Sequence, residues 1–502
     1  MESFSLAETA SGKVRGRLAD GVHSFKGVRY GATTAGKNRF RPPQPPEPWA
    51  GVRDALDFGA PAPQLHSLSQ PGLIELETRP ESEDCLFLNV WTPSLQGRRP
   101  VMVWLHAGGY FMGSGSSAVN DGSALARNQD VVVVTLNHRL GIFGHLDLSV
   151  YGDEFAFGRN AGMLDIVQAL QWVKANIERF GGDPNCVTVF GESGGGWKVS
   201  ILLAMSSAAG LFHRACLQSG SRLRIDTRAA AAAKTARVLG QLNILPTEVH
   251  RIQQVDLADF QRLIPRFVLR PDEWQPVVDG VLIDRHPFSP DAPECSKQIP
   301  VIVGTTRTEN AYNLAPDRTM DHLTDSGLKQ VLDELLPGRG EELFKLYRRQ
   351  YPEKTRAEIV YLAHTDRTWY LDACLLADRK ARQRSAPVFS YIFDRPSPVQ
   401  GGRFFVPHTS ELPFVFNTLD TMPQIVGAVT PRAQALADAV SAAWASFARD
   451  GVPRSPALPE WTTYQAEERA TMIFHEEGSK MVSNPRAEQL AFWQSVGSLQ
   501  EI

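Results

Sequence analysis

Two glycine-rich segments hold the residue types with which a serine attacks a carbonyl carbon. The first is Gly191-Glu192-Ser193-Gly194-Gly195, a G-x-S-x-G pattern that follows the apolar run Val187-Thr188-Val189-Phe190 and precedes residues able to form a helix over 197–204. A serine at a sharp strand-to-helix turn adopts a strained backbone, and neighbouring side chains would clash there, so glycines flank it. The turn lifts the hydroxyl above the end of the sheet. The helix start leaves free N–H groups, so the Gly194 amide can donate to the oxyanion that forms when Ser193 attacks. The second segment, His106-Ala107-Gly108-Gly109-Tyr110, stands directly after the apolar run 101–105. Glycine lets the backbone come close to a substrate, which makes Gly108 and Gly109 the other candidate donors; Ala107 matters only if the loop needs positive φ at that position.

These segments need a sheet to hold them. Apolar runs of strand length recur at 100–105, 131–136, 187–190, 214–217 and 299–303. Such continuous runs read as strands buried on both faces, the signature of a mostly parallel sheet covered by helices. Between the second and third, Met163, Ile166, Val167, Leu170, Val173 and Ile177 fall at helical spacing, which predicts a crossover helix within 160–179. Phe180-Gly181-Gly182-Asp183-Pro184 then stops it and turns the chain into the next strand. The last third reads as more helical, with helices predicted over 433–449 and 485–496; the alanine run 229–233 reads as a helix start.

Composition narrows the partners. A chain of 502 residues, 43% hydrophobic and 21% charged, can bury a large core. Its formal charge is only -3 and no basic block occurs, so neither nucleic acid nor an anionic membrane is favoured, and a small molecule is the expected partner. No window approaches the roughly 18 to 20 apolar residues of a spanning helix. Cys85, Cys186, Cys216, Cys295 and Cys374 are odd in number and lack any C-x-x-C pair, which predicts reduced thiols, buried as inert packing. These features favour a cytoplasmic setting, with a secreted or periplasmic one open if a signal peptide has been removed. No metal-ligand cluster or nucleotide loop is found, so no cofactor and no metal are expected.

Further along, the chain resembles the type-B carboxylesterase/lipase family, which also holds cholinesterases and bacterial p-nitrobenzyl esterases. The likeness rests on Phe25-Lys26-Gly27-Val28-Arg29-Tyr30, Glu83-Asp84-Cys85-Leu86-Phe87-Leu88-Asn89-Val90, Asn137-His138-Arg139-Leu140-Gly141, Gln218-Ser219-Gly220-Ser221 and Thr471-Met472-Ile473-Phe474, and it covers nearly the whole chain. The 106–110 segment likewise resembles the H-G-G-G loop that supplies oxyanion donors in lipases and esterases. The resemblance implies an α/β-hydrolase fold, with a large central mostly parallel twisted sheet, flanking helices and helical insertions capping the active site. One catalytic domain over 1–502 is expected, with cap-like insertions near 64–84, 222–270 and 314–400. The resemblance also implies Glu309 of Gly304-Thr305-Thr306-Arg307-Thr308-Glu309 as the acid and His408 of Pro407-His408-Thr409-Ser410-Glu411 as the base. The chemistry asks for both: imidazole takes the serine proton, and a buried carboxylate fixes its tautomer and stabilises its charge. The implied function is carboxylic ester hydrolysis through an acyl-enzyme, by a monomer or weak homo-oligomer. Amide or carbamate cleavage by the same triad is the alternative, and a non-catalytic cholinesterase-like binding module is a remote second.

Some positions depart from the family pattern. Many secreted relatives pair the cysteine of Glu-Asp-Cys with an upstream cysteine, but none precedes Cys85 here, and Ala62 stands roughly where the partner would be. The segment 64–84 lacks the tryptophan with which cholinesterases bind quaternary ammonium, so choline esters are disfavoured. Gly194 and Trp197 stand where the family more often has alanine or another small residue; Trp197 is expected to pack under the elbow and narrow the pocket. Arg222 and Arg224 read as solvated surface charge, with an acidic substrate as the alternative partner.

Overall fold

A computed structural model describes residues 3–65, 79–268 and 273–501. Among these residues thirteen strands join in one sheet. They are β1 (Ser3–Thr9), β2 (Gly12–Ala19), β3 (Val22–Arg29), β4 (Val52–Asp54), β5 (Phe87–Thr92), β6 (Arg99–Leu105), β7 (Val132–Leu136), β8 (Gly182–Glu192), β9 (Arg214–Gln218), β10 (Val301–Thr306), β11 (Val388–Phe393), β12 (Ala470–Phe474) and β13 (Lys480–Ser483). Their order is β1-β2-β3-β5-β7-β6-β8-β9-β10-β11-β12-β13, with β4 beside β2. From β7 to β12 every neighbouring pair is parallel. The flanks β1-β2-β3-β5-β7 and β12-β13 are antiparallel. The sheet is therefore the expected mostly parallel one, extended by an antiparallel margin that the apolar runs do not announce. The reason is visible in β1, whose side chains alternate between exposed and buried instead of forming a continuous apolar run.

Each central strand feeds both faces of the sheet. Val101, Val103 and Leu105 of β6 enter one apolar core, and Met102 and Trp104 enter the other. Period-two alternation with both faces covered is what makes the run uniformly apolar. Burial of each such side chain contributes about 1.5 to 3 kcal/mol. The crossover helix Ala161–Asn176 continues as a tighter turn, Ile177–Phe180, and ends at Gly181 with φ of 75°. A buried pair anchors it: Arg139, just past β7, holds Asp165 in two hydrogen bonds of 2.8 and 2.6 Å.

Several boundaries differ from expectation. Strand β8 begins at Gly182, inside the expected turn, because Gly182 already pairs with Arg99 of β6. The helix after Ser193 starts at Gly194 rather than at Trp197, since the glycines themselves take helical geometry. Strand β11 falls within the 314–400 segment, which otherwise carries the helices Asp325–Leu335, Gly340–Gln350, Arg356–Thr365 and Leu371–Arg382. The 222–270 segment carries Arg228–Gln241 and Leu257–Phe267. Most of the 64–84 segment lies outside the described residues. All five cysteines are free thiols; Cys85, Cys216 and Cys374 are buried as expected, but Cys186 is half-buried and Cys295 exposed.

Candidate active site

The segments singled out in the sequence converge at the carboxyl ends of adjacent parallel strands, the edge where open α/β sheets build their sites. Strand β6 delivers 106–109, β8 delivers Ser193, β9 delivers 219–222, and β10 delivers Glu309 three residues beyond its end. His408 arrives from the longer connection after β11.

Ser193 has φ of 55° and ψ of -121°, a backbone conformation that L-residues rarely adopt. Its amide is tied to the β9 end by a 2.9 Å bond to the Gln218 carbonyl. Close approach on every side demands the glycines: a methyl group on Gly195 would lie 2.0 Å from the Leu105 carbonyl oxygen, and one on Gly194 would lie 2.3 Å from the Gly109 nitrogen. The backbones of Gly109 and Gly194 thus touch. An alanine at 194 would require the loop to retreat. Gly108 and Gly109 have φ of 93° and 60°, while Ala107 is not among the positive-φ residues, so the alanine there is tolerated.

The acid and base loops are laced together before their side chains meet. Thr308 N–H donates to Val406 O (3.2 Å), the Val406 N–H donates to Thr308 Oγ1 (2.9 Å), and the His408 N–H donates to Glu309 O (3.2 Å). In this frame Glu309 Oε2 lies 2.5 Å from His408 Nδ1. Its other oxygen, Oε1, accepts from Ser219 Oγ at 2.5 Å and from the Thr306 N–H at 2.6 Å. Glu309 is 1% exposed, and both of its oxygens have hydrogen-bonding partners, as a buried carboxyl group requires. Trp369 packs against the His408 ring at 4.6 Å between centroids, and Tyr312 meets it edge-on at 6.1 Å. Trp369 projects from a single turn of π-helix, Asp366–Tyr370, a widening often found at functional sites.

Ser193 and His408 line one cleft of about 1370 Å³, together with Gly108 and Gly109. Ser193 Oγ makes no hydrogen bond to His408 here, and His408 Nε2 lies 3.1 Å from Glu192 Oε1, outside hydrogen-bonding alignment. Serine–imidazole contacts are commonly loose without substrate and tighten when it binds. Burial alone would lower the His408 pKa, but Glu192 and Glu309 outweigh it and push it up to about 9. Glu192 is itself raised by burial, with His408 opposing and Glu411 and Glu309 adding to the effect.

Sequence reasoning missed Ser219, Glu192, Glu411 and Lys198. Lys198, wholly buried behind the glycine loop, donates to His106 O at 3.0 Å, and burial pushes its pKa down to about 7. His106 and His138 are buried and stacked at 4.8 Å, in keeping with structural roles. Trp197 does not merely underlie the elbow. It lines the cleft, with Tyr110 at 5.6 Å and Trp369 at 6.5 Å. Arg222 is 6% exposed, which overturns its reading as solvated charge.

Comparison with known proteins identifies the family and the fold. The model of the carboxylesterase family matches residues 4–493. The para-nitrobenzyl esterase of Bacillus subtilis is 36% identical over 486 residues, covering 95% of this chain and 96% of its own. The phenmedipham hydrolase of Pseudarthrobacter oxydans is 33% identical, covering 95% and 96%. Among solved structures, a carboxylesterase of Geobacillus stearothermophilus superposes with a TM-score of 0.83 at 35% identity, covering 97% of this chain and 100% of the other. The fold is that of the α/β-hydrolases, and the chain belongs to the carboxylesterase family, whose reaction is the hydrolysis of carboxylic esters.

Proposed function

We propose that Ser193 is the nucleophile of this esterase, His408 its general base and Glu309 the acid, with the amides of Gly108, Gly109 and Gly194 forming the oxyanion hole. The observation that carries the reading is the buried Glu309–His408 pair opening onto the cleft that Ser193 shares. In the first half-reaction His408 Nε2 takes the hydroxyl proton as Ser193 Oγ bonds to the ester carbon, and the carbonyl oxygen becomes an oxyanion facing the three amides. Collapse breaks the bond to the alcohol, which leaves with the proton from His408. Water, deprotonated by the same imidazole, then attacks the acyl-enzyme and releases the acid. Glu309 stays ionised and stabilises the imidazolium.

Two measurements bear on this. The base must be neutral to act, so kcat/KM rises with pH, and a raised His408 places the midpoint of that rise above the ordinary imidazole value. A midpoint below that value in the pH profile of p-nitrophenyl ester hydrolysis would contradict the assignment. Gly108→Ala is expected to lower kcat by roughly 10²-fold or more, because the added methyl group meets Met112 O at 2.4 Å and a φ of 93° disfavours it. Unchanged kcat in steady-state assays would move the oxyanion hole elsewhere.

We further read the chain as one catalytic domain over 1–502, with cap-like insertions in 222–270 and 314–400; most of the 64–84 segment lies outside the described residues. Arg222, Arg224, Thr368 and Trp369 support this by lining the cleft. No helix among the described residues is long and apolar enough to cross a membrane. The five free thiols support a reducing, cytoplasmic setting. A monomer or weak homo-oligomer acting on small esters completes the reading, and no observation favours amide or carbamate cleavage over it.

A further inference from the structure

The helix Gly194–Leu202, which starts at the nucleophile, is buried along its whole length and carries Val199, Ile201 and Leu202 into the core. Lys198 interrupts that apolar surface. Its side chain is fully buried, its Nζ makes one hydrogen bond, to His106 O at 3.0 Å, and no carboxylate pairs with it among the described residues. Burial alone pushes its pKa down, to about 7. A buried ammonium without a counter-charge costs stability that a methionine of similar length would not, so something other than packing accounts for a lysine here.

What Lys198 holds is the root of the glycine loop. The His106 carbonyl belongs to the peptide joining 106 to 107, and the next peptide is held by the same residue. His106 Nδ1 lies 2.8 Å from Ala107 O, and a carbonyl can only accept, so the ring donates. The other end of that second peptide is the Gly108 N–H. A peptide plane whose oxygen is fixed cannot swing its N–H away, and this matters beside Gly108, whose φ of 93° leaves it no side chain to resist rotation. The peptide after it is held separately, with Gly108 O accepting from the Met112 N–H at 3.1 Å. The His106 ring is itself steadied by stacking on His138, with 4.8 Å between centroids and 12° between planes. Burial first and the Lys198 charge second push both imidazoles well below their usual pKa, so both are neutral. In each the proton sits on the Nδ1 that faces a carbonyl, Ala107 O for His106 and Arg139 O at 2.9 Å for His138.

We propose that Lys198 is a positioning residue for ester hydrolysis: by holding the His106 carbonyl it fixes the residue whose ring aims the Gly108 N–H at the oxyanion. It touches no substrate and acts through the loop. Donors fixed before the reaction stabilise a developing charge more than donors that must turn toward it. The inference rests on the reading of Ser193 as nucleophile and Gly108 as oxyanion donor, and adds what keeps that donor aimed.

The test pairs turnover of p-nitrophenyl butyrate with inhibition by benzyl trifluoromethyl ketone. Ser193 Oγ bonds to the ketone carbon, His408 takes the hydroxyl proton, and the carbonyl oxygen becomes an anion facing the loop amides. Lys198→Met is expected to lower kcat roughly tenfold or more, with KM little changed and the melting temperature not lowered. The same change weakens inhibition by the ketone by about the factor lost in kcat/KM. Lys198→Gln, which keeps an N–H donor on a shorter arm, loses less of both, and it carries the test if the methionine variant does not fold. A folded variant with kcat and ketone affinity close to those of the parent overturns the positioning role, as does a fall in kcat that leaves ketone affinity unchanged. Retained turnover in Ser193→Ala overturns instead the reading on which the inference rests, and Lys198 falls with it.

Discussion

Replacing Ser193 with alanine is expected to lower kcat for a p-nitrophenyl ester by about 10⁴-fold or more, with the fold intact. Alanine removes one oxygen from a half-buried position and leaves the elbow's other constraints in place: the Ser193 amide still bonds to Gln218 O, and the glycines still pack against Leu105 and Gly109. What is lost is the only protein atom in the proposed sequence that forms a bond to substrate carbon. A residual rate above the uncatalysed one would come from the oxyanion amides, which act on any attacking oxygen, water included. Steady-state turnover of the purified variant checks this, with thermal denaturation alongside to confirm folding. Turnover close to that of the parent enzyme would remove Ser193 from the mechanism.

The second large effect concerns the carboxylate. Glu309→Gln is expected to reduce kcat by about 10³ to 10⁴-fold while changing shape hardly at all. The native carboxylate presents acceptors in two directions, Oε1 to Ser219 and the Thr306 N–H, and Oε2 to His408 Nδ1. An amide has one acceptor and one donor, so it cannot satisfy both. With its NH₂ toward His408 it forces the wrong tautomer, placing the ring proton on Nε2 where a base is needed. With its NH₂ toward Thr306 it sets donor against donor in a buried site, at a cost of about 1 to 3 kcal/mol. In either orientation one of the negative charges that raise His408 is gone. The surviving activity should therefore show a pH midpoint displaced downward from that of the parent, and an unchanged kcat and midpoint would exclude Glu309 as the acid.

The elbow was legible in the sequence because its constraint is local: five consecutive residues carry the tight turn, and the strand before them is an unbroken apolar run. The glycine loop was legible for the same reason. Glu309 and His408 were reachable through family resemblance alone, since 99 residues separate them in the chain and their contact is made by loops that Thr308 and Val406 hold together. Ser219, Glu192 and Glu411 were invisible because a buried partner has no local pattern; a hydroxyl after a strand gives no sign that it will face a carboxylate. The strands β1 to β3 were missed for a different reason. Their burial is interrupted, alternating in β1 and β2 and falling on every third residue in β3, so a search for continuous apolar runs passes over them. The reading of Arg222 as solvated charge followed from its type, and it failed because Trp197 and Gln275 enclose it.

The most direct measurement is titration with an organophosphate, followed by peptide mass spectrometry of the inactivated protein. The mechanism requires activity to fall in proportion to adduct, with one phosphoryl group per chain, located on Ser193. Full inactivation with the adduct on another residue, or full activity after exhaustive treatment with no adduct at Ser193, would contradict it.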